Sequence, residues 1–500
     1  MKPIGYQWLI HNYGLCVVPF WTEFYELEKG GQRTEVADGV TKVMLRPGNS
    51  LKEHWSDHLE FALKREGLHL EAIKKLVREL PAEEVVAYIE SKPTGKYARI
   101  CWFLYEEFTG AVLPLADLEM GNYVPLLPVD RYLTGASRKI RRQRIDNNLL
   151  GDVDFSPIVR LGDSNLGQRS DDLKGKCQQM VDSVPEEIYE RAIRYLYAKE
   201  SKSSHEIERE TPNEERGRRF IALLEQAWEQ DFLQKDKLVE VQNTIVDERF
   251  QDRGCRDETG EQIYVGESYG LGGERVHYIG PRPEDTSELM DSFLGISGIM
   301  ASHRGIPDLV AVALIAYLFN YIHPFSDGNG RIHRFLMHHV LAKREFGRRG
   351  IILPISAAIL NRPMDYERSL ESFSKPLLKV IDYTLDSRSR MTVIGETADH
   401  YRYIDCTDLV SIFMDLAEEA IEKEMPAEVA FLQGHDRCRA AMRGVVDLPN
   451  RNAELLIKFC LQNEGVLSKN KRKLSEFSML TEDELDALQR IVQDSLGIGR

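Results

Sequence analysis

The sequence predicts a mainly α-helical fold, in which a helical core carries one β-hairpin and is flanked by helical regions on both sides. Residues 54–80 alternate apolar and charged side chains at helical spacing. Residues 308–322 form an apolar helical segment, and helical spacing resumes at 331–343. Residues 262–279 instead have the pattern of two short strands joined by a Gly-rich tip, which predicts the hairpin.

The chain of 500 residues is too long for one ordinary hydrophobic core, so we expect several domains. We divide it into an N-terminal, mainly helical domain at 1–190, a connector at 191–241, a central domain at 242–385 and a C-terminal helical domain at 386–500. No internal repeat or low-complexity tract supports a different division.

The composition indicates a globular protein of a reducing compartment. Hydrophobic residues make up 42% and charged residues 29%. No stretch approaches the roughly eighteen apolar residues that span a bilayer, and residues 1–21 lack the pattern of a signal peptide. The seven cysteines are scattered and never paired as CxxC, which argues against a disulfide framework or a zinc module and favours the cytoplasm.

The charge balance argues against a broad nucleic-acid surface. The chain has 65 Lys and Arg against 80 Asp and Glu, a net charge of −15. We interpret the strongest basic run, at 138–144, as a solvated or salt-bridged surface. Neither nucleic acid nor a membrane is therefore an expected partner.

The segment that carries chemistry is residues 323–334, HPFSDGNGRIHR, between the two central helices. The N-terminus of the second helix presents free N–H groups and the positive end of the helix dipole, and this arrangement binds anions. Gly328 and Gly330 allow the backbone to approach a phosphate closely. Arg331 and Arg334 are three apart, so both guanidinium groups lie near that helix end and can bind phosphate oxygens. The spacing predicts a polyphosphate site.

Three further residues of this segment complete the chemistry of group transfer. Asp327 lies at the mouth of the loop, where one carboxylate together with phosphate oxygens and waters can hold Mg²⁺. His323 can take a proton from an incoming hydroxyl. Phe325 should point inward and anchor the loop in the core. Positioning and charge stabilisation of this kind are what phosphoryl or nucleotidyl transfer needs.

This segment resembles the Fic-family motif, His-x-Phe-x-Asp/Glu-Gly-Asn-Gly-Arg-x-x-Arg, with every specified position filled. The resemblance implies a Fic-type helical core with a β-hairpin flap. It also implies transfer of AMP from ATP to a Tyr, Ser or Thr hydroxyl of a target protein, with Mg²⁺ as cofactor and self-modification as a side activity. A homodimer is compatible with the resemblance.

The resemblance also assigns roles to individual residues. His323 would be the general base, and Asp327 would bind Mg²⁺ on the α- and β-phosphates. Arg331 would help to hold the phosphates, and Arg334 would hold the γ-phosphate. Three residues would form the anion hole: Gly328, Asn329 and Gly330.

The hairpin at 262–279 would be the flap that docks the target segment as an added strand. Its contacts would include Val265 and Gly266, and its tip is longer and richer in glycine than usual. Asn361 resembles a family position near the nucleotide.

A further resemblance concerns an inhibitory helix with the pattern Ser/Thr-x-x-x-Glu-Gly/Asn. Ser204 and Glu208 fill the first two specified positions and share one helical face. By analogy Glu208 would pair with Arg334 in the place of the γ-phosphate and prevent productive ATP binding. Arg209 departs from the pattern, because Gly or Asn tolerates a left-handed helix end that Arg disfavours.

The resemblance covers residues 50–385, since several N-terminal phrases are similar to the leader domain of longer bacterial Fic proteins. On the same site, transfer of another phosphoryl-type group or removal of AMP remains an alternative. A second alternative is a regulatory binding protein with a vestigial site, in which residues 453–473 belong to a helix-turn-helix-like module that contacts DNA. Nearby, Thr481 and Glu484 predict a capping box that opens a last helix.

Overall fold

The computed structural model describes residues 1–37, 39–48, 51–162, 165–210, 214–269 and 273–499. Within these ranges the protein is mainly helical, as predicted. The first nine helices are α1 Tyr6–Tyr13, α2 Trp55–Arg65, α3 Leu70–Glu79, α4 Ala82–Ser91, α5 Lys96–Thr109, α6 Leu166–Asp182, α7 Glu186–Ile207, α8 Glu214–Gln226 and α9 Lys235–Ile245. The later helices are α10 Pro283–Ser302, α11 Asp308–Ile322, α12 Asn329–Lys343, α13 Ile355–Asn361, α14 Pro363–Leu377, α15 Thr407–Glu419, α16 Met425–Arg443, α17 Asn450–Leu461, α18 Lys469–Arg472 and α19 Glu482–Leu496.

The strands form small separate sheets. Their bounds are β1 Lys2–Ile4, β2 Thr22–Glu26, β3 Arg33–Ala37, β4 Val40–Leu45, β5 Val124–Pro125, β6 Arg138–Ile140, β7 Ile145–Asn147, β8 Tyr264–Tyr269, β9 Gly273–Ile279, β10 Asp382–Leu385 and β11 Met391–Ile394. The sheet orders are β1-β2-β4-β3, β5-β7-β6, β8-β9 and β10-β11. In the first sheet β2 and β4 run parallel with Thr22 opposite Thr41, so the N-terminal part contains more sheet than we predicted.

The buried apolar side chains form three clusters. One lies between Tyr6 and Ile158, the largest between Leu150 and Met425, and the third between Cys438 and Val492. The largest cluster crosses the predicted limits of the central domain, 242 and 385, on both sides. It does so because α6, α7 and α15 pack on α11 and α13. The division of the chain into domains stays a prediction.

The centre of the largest cluster is α11. Its apolar residues cover the whole circumference, a pattern typical of a helix buried on all sides. Contacts with α6, α10, α12 and α15 cover it. Across the described residues, no helix combines the length and apolar composition needed to cross a bilayer. Because its neighbours hold α11 on all sides, the helix fixes the position of the loop that follows it.

The predicted hairpin is present as β8 and β9, which pair antiparallel. Its strands are longer than expected because pairing continues from Tyr264–Ile279 to Tyr269–Gly273. Tyr278 at its base donates to the carbonyl of Tyr321 on α11. Residues 270–272 of the predicted Gly-rich tip lie outside the described residues. The hairpin is thus attached to the helix that leads into the motif.

Two of the five basic residues in the run at 138–144 form ion pairs. Arg142 donates to Glu106 at 2.9 Å and to Asp117 at 2.6 Å. Lys139 lies 2.6 Å from Asp146. These contacts support the interpretation of the run as a salt-bridged surface.

The C-terminal helices place carboxylates beside Arg472, one of the basic residues at 469–473 that end the segment considered for DNA contact. Thr481 and Glu484 form the predicted capping box at the start of α19. Arg472 pairs with Glu482 at 2.9 Å and with Asp486 at 2.7 Å, both on α19. The helix α18 has only four residues. This arrangement gives no specific support to the alternative of a DNA-reading helix, which needs positive charge on the face that meets the phosphates.

Candidate active site

The motif loop connects α11 to α12 and begins at His323. This residue ends α11 in the left-handed conformation, with φ 51° and ψ 57°, and its N–H donates to Phe319 O at 3.0 Å. Phe325 is fully buried, as predicted. The left-handed residue turns the chain out of the helix, and the buried phenyl ring holds the loop against the core.

Asn329 closes the loop with its side chain. Its Oδ1 accepts from the Phe325 N–H at 3.1 Å, and its Nδ2 donates to Phe325 O at 2.7 Å. The side chain is only 2% exposed. In this structure the Asn329 amide therefore shapes the loop, and what it offers to an anion is its backbone N–H at the first position of α12.

Gly328 precedes α12 in a conformation that other residues rarely adopt. Its φ is 89°, and a β-carbon added there would lie 2.9 Å from Cγ1 of Val246. Both the backbone conformation and the close approach of Val246 therefore require glycine at this position.

We expect Gly328→Ala to lower the free energy of unfolding by more than Gly350→Ala. Gly350 has a similar φ of 87° but open space around its α-carbon, so it measures the left-handed backbone cost alone, about 1–2 kcal/mol. The excess in Gly328→Ala reports the clash with Val246. Chemical denaturation of both variants measures the difference, and equal losses would contradict the predicted contact.

Asp327 lies at the N-terminus of α12 with its carboxylate partly open to solvent. Oδ1 accepts from the Gly328 N–H at 2.6 Å and from Arg331 Nη2 at 3.0 Å. The side chain is 44% exposed. A carboxylate that is held from one side and open on the other can bind a cation that arrives with phosphate.

Arg331 and Arg334 are both buried, with 2% and 1% of their side chains exposed. Arg331 donates to Glu210 at 3.1 Å and to Ile245 O at 3.2 Å. Within the described residues, Nε of Arg331 and Nη1 of Arg334 have no hydrogen-bond partner. Buried N–H groups without partners are costly, so each of these two atoms would be stabilised by a further acceptor.

The other two nitrogens of the Arg334 guanidinium donate hydrogen bonds to Glu208 and Ser204. Arg334 Nη2 lies 2.7 Å from Glu208 Oε1, and Nε donates to Ser204 Oγ at 2.8 Å. A β-carbon at Gly330 would collide with the same Glu208 oxygen. Burial raises the pKa of Glu208, but the Arg334 charge and hydrogen bond outweigh it, so the pKa lies below its ordinary value. The carboxylate therefore lies, ionised, over the N-terminus of α12.

Arg209 follows the C-cap of α7 and has a left-handed backbone conformation, which we expected arginine to disfavour. Its φ is 58°. Its N–H donates to Glu206 O at 2.9 Å, and the Glu210 N–H donates to His205 O at 3.0 Å. These two bonds are those of a Schellman helix end, in which Gly is usual at the position of Arg209. Arg209 in place of Gly or Asn thus keeps the Schellman geometry at the end of α7, but its own backbone is strained.

We expect Arg209→Gly to raise the free energy of unfolding by about 1 kcal/mol, because glycine adopts positive φ without strain. The matched control is Arg218→Gly in α8, an exposed arginine with 75% of its side chain accessible. There glycine should lower the free energy of unfolding by about 0.5–1 kcal/mol. The same substitution should therefore have opposite signs at the two sites. Destabilisation by Arg209→Gly would contradict the strain argument.

The His323 ring is held in a defined tautomer. Its Nδ1 lies 3.2 Å from Asn320 O, so Nδ1 carries the proton and Nε2 is left as an acceptor. Burial lowers the pKa of His323 to about 4, and the nearby Arg256 charge adds to this effect. The ring is therefore neutral at pH 7.

Arg256 is a site residue that the sequence analysis missed. Its Nε donates to His323 O at 3.0 Å, its backbone N–H donates to Pro324 O at 2.8 Å, and its guanidinium reaches Pro281 O at 3.4 Å. It is 7% exposed. It therefore joins the motif loop to the base of the hairpin. A single arginine in an irregular loop has no periodicity, so no sequence pattern could have found it.

The three remaining predicted positions lie outside this network. Val265 is on β8 opposite Tyr278, with 47% of its surface exposed, and Gly266 follows a bulge in the strand. A β-carbon at Gly266 would lie 2.8 Å from Arg275 O. Asn361 donates to Glu424 at 2.7 Å, a hydrogen bond that directs its side chain to that neighbour.

The neighbouring histidines of α12 have structural partners. His338 Nε2 lies 2.9 Å from Glu200, and His339 Nδ1 lies 3.0 Å from Ala227 O. His333 lies 3.4 Å from the hydroxyl of Tyr366. In the part of the chain that the structure describes, no group of three His, Cys, Asp or Glu side chains is arranged to hold a metal ion.

Comparison with known proteins gives one family. Residues 232–341 match the model of the Fic/DOC family. The chain therefore contains a Fic/DOC-family domain, whose matched range includes the hairpin and the whole motif loop.

Two solved structures are also similar to this chain. One is a Fic family protein from Desulfovibrio desulfuricans G20, with 18% identity, a TM-score of 0.32, and coverage of 66% of this chain and 85% of that chain. The other is a Fic domain containing signaling protein from Bacteroides thetaiotaomicron VPI-5482, with 18% identity, a TM-score of 0.37, and coverage of 53% of this chain and 97% of that chain. At these low TM-scores the family assignment rests on the matched residues alone.

Proposed function

We propose that this protein is an adenylyltransferase that moves the AMP group of ATP onto a Tyr, Ser or Thr hydroxyl of a target protein. The observation that carries the proposal is the juxtaposition of three parts of the motif: a neutral, oriented His323 where the loop begins, the helix N-terminus where it ends, and two buried arginines on that helix. Members of the Fic/DOC family are generally transferases, which agrees with this chemistry.

The phosphates would lie at the N-terminus of α12. The N–H groups of Asn329 and Gly330 belong to its first turn, where backbone donors have no partner within the helix. Within the described residues, Arg331 Nε and Arg334 Nη1 are buried donors without partners beside this helix end, and phosphate oxygens would satisfy them. The donor set therefore fits a polyphosphate.

Asp327 would hold Mg²⁺, because its carboxylate is partly exposed and lies beside the same helix end. When bound, the ion would supply positive charge that neutralises the phosphates during transfer. Arg331 fixes one oxygen of this carboxylate from the protein side.

The chemical step needs one base. Nε2 of His323 would take the proton of the target hydroxyl as that oxygen attacks the α-phosphorus of ATP. The bond between the α-phosphorus and the bridging oxygen breaks, and pyrophosphate leaves. Asn320 O holds the Nδ1–H, and Arg256 holds the His323 carbonyl, so both orient the ring without touching the reacting atoms.

Glu208 would act as a brake on this reaction. Its carboxylate pairs with Arg334 and lies where a β-carbon of Gly330 would be, so it competes with the γ-phosphate for the same cation. Ser204, in the last part of α7, holds the same guanidinium, and Glu208 is the C-cap of that helix. ATP would bind productively only when this helix end moves away.

The target would dock on the hairpin. β8 pairs only with β9 in a two-stranded sheet of the described residues, so its other edge has backbone groups that an extended segment could pair with. Val265 is 47% exposed and would contact the added strand. The hydroxyl-bearing segment would then reach His323, whose ring lies 6.3 Å from that of Tyr278 on β9.

The direct test uses ATP labelled on either the α- or the γ-phosphate, with the Glu208→Gly protein and a cell lysate as acceptor. Label from the α-phosphate alone supports AMP transfer. Label from the γ-phosphate above that of the lysate alone would identify phosphate transfer instead, and no gain of either label over the lysate alone would remove the transferase proposal.

Removal of AMP remains a second candidate because Glu208 lies ionised beside the same loop and could align a water. Incubation of AMP-modified target with the wild-type protein and Mg²⁺ distinguishes removal of AMP from its transfer. Release of AMP that is lost in Glu208→Gly would favour the second candidate.

The low pKa of His323 predicts a wide pH range of activity. A base works when it is neutral, so lowering its pKa to about 4 keeps it active as the pH falls. We expect labelling at pH 5.5 to stay within about twofold of that at pH 7.5, whereas an ordinary imidazole would lose about tenfold. Labelling rates between pH 5 and 8, with thermal stability measured alongside, test this. A midpoint near pH 6.5 would contradict it.

A further inference from the structure

Glu210 is a second carboxylate at the end of α7 that contacts the motif. Its Oε2 lies 3.1 Å from Arg331 Nη1, whereas Glu208 pairs with Arg334 at 2.7 Å. The two glutamates are therefore divided between the two buried arginines of the motif, with one carboxylate on each guanidinium.

The backbone conformation of Arg209 allows this division. In a continuous helix, residues two apart point about 200° away from each other around the axis, so Glu208 and Glu210 could not both face α12. Arg209 lies between them with φ 58°, and the Glu210 N–H donates to His205 O at 3.0 Å. The left-handed residue ends the helix and frees Glu210 from the helical direction, while the hydrogen bond holds its backbone against the last turn.

Glu210 also has its own anchor on a neighbouring helix. Arg216 of α8 lies 3.0 Å from the same Oε2 that contacts Arg331. Helix α8 packs on both α7 and α12. The carboxylate is 33% exposed, so it is held between two guanidinium groups at the edge of the site rather than in its interior.

The charges at the N-terminus of α12 show how this contact affects an anion. Arg331 and Arg334 supply two positive charges. Three carboxylates are paired with them, those of Glu208, Glu210 and Asp327. A polyphosphate therefore meets a net negative charge at neutral pH. Without Glu208 the charges balance, and only without both glutamates is the balance positive, which favours phosphate.

We propose that Glu210 is a second inhibitory contact, which occupies Arg331 and excludes the phosphates that lie next to Asp327. The inference rests on the proposed nucleotide site. Arg331 Nη2 lies 3.0 Å from Asp327 Oδ1, so its guanidinium is at the end of the site where Mg²⁺ and its phosphates would lie. Those phosphates are common to ATP and ADP. Glu210 therefore acts against both nucleotides, whereas Glu208 competes with the γ-phosphate that only ATP has.

The test is titration calorimetry of the full-length protein with Mg²⁺ and either ATP or ADP, which needs no target and no transfer. Glu210→Gln is made in the Glu208→Gly protein, so no effect can pass through Glu208. We expect it to lower the dissociation constants of ATP and ADP by the same factor, about two- to fivefold, the range of a partly exposed ion pair. Glu208→Gly alone should improve the binding of ATP more than that of ADP.

The matched control is Glu206→Gln in the same Glu208→Gly protein. It removes the same charge from an exposed side chain in the last turn of α7, and it should leave both dissociation constants unchanged. An equal gain in Glu206→Gln would show that general loss of negative charge suffices, which would overturn the proposal. A gain for ATP alone would place Glu210 at the γ-phosphate and overturn the assignment to Arg331.

The remaining outcomes separate this inference from the proposed function. If Glu208→Gly binds ATP and Glu210→Gln adds nothing, the second contact is removed and the nucleotide site stands. If none of the variants binds either nucleotide, the proposed site is wrong and the second contact is wrong with it. If Glu210→Gln improves the binding of both nucleotides but no protein is labelled, the inhibitory contact stands and the transfer reaction does not.

Discussion

Glu208→Gly is expected to raise ATP-dependent labelling by about 10- to 100-fold, because it frees Arg334 from a charged hydrogen bond of roughly 1.5–3 kcal/mol. The bond is 2.7 Å long and lies in a site where Arg334 is 1% exposed. Removing the carboxylate also clears the space in front of Gly330. The initial rate of incorporation of label from the α-phosphate of ATP measures the effect.

The matched control is Glu206→Gly, an exposed glutamate in the last turn of the same helix. It introduces the same flexibility without touching Arg334, so labelling should stay at the wild-type level. Nucleotide binding gives a readout that does not depend on a target: ATP should raise the melting temperature of Glu208→Gly more than that of Glu206→Gly. Equal behaviour of the two variants in both assays would remove the brake from the proposal.

The arrangement of the motif residues was predictable because it is local. His323, Asp327, Arg331 and Arg334 lie within one loop and one helical turn, so their spacing alone brings them together. The apolar composition of α11 likewise predicts a buried helix that ends where the motif begins. Sequence reasoning works where neighbours in the chain are neighbours in space.

The contacts that fix the site are long-range and were not predictable. Arg256 holds the His323 carbonyl across 67 residues, and no pattern marks it in an irregular loop. The parallel pairing of β2 with β4 was missed for the same reason, since each strand is short and its partner is set by tertiary packing. The buried pair of Glu71 and His400 joins two distant segments and has no motif.

Arg209 shows a different limit of prediction from sequence, namely that tertiary contacts can override a local backbone preference. The sequence placed a disfavoured residue at a helix end, and the structure keeps the left-handed conformation with φ 58°. Two hydrogen bonds and the buried pairing of Ser204 and Glu208 with Arg334 hold the end of α7 in place. A local propensity of about 1–2 kcal/mol is overruled when several tertiary contacts favour the same geometry.

His323→Asn, made in the Glu208→Gly protein, is expected to lower labelling by about 100-fold or more, because it removes the general base. Asparagine tolerates the left-handed backbone that this position has, with φ 51°. The loop and its hydrogen bond to Phe319 should therefore persist. ATP should still raise the melting temperature, because the arginines and the N-terminus of α12 are unchanged.

His303→Asn provides the control for a histidine that ends a helix without reaching the motif loop. His303 is the C-cap of α10, where its N–H donates to Ile299 O at 2.9 Å, and its φ of −74° needs no special residue. Its substitution should leave labelling unchanged. If His323→Asn labels protein as fast as its parent while ATP binding is intact, the proton must leave the hydroxyl by another route. If ATP binding is lost as well, the role of His323 is to shape the loop rather than to act as base. Only loss of labelling with retained ATP stabilisation assigns the imidazole to the proton-transfer step.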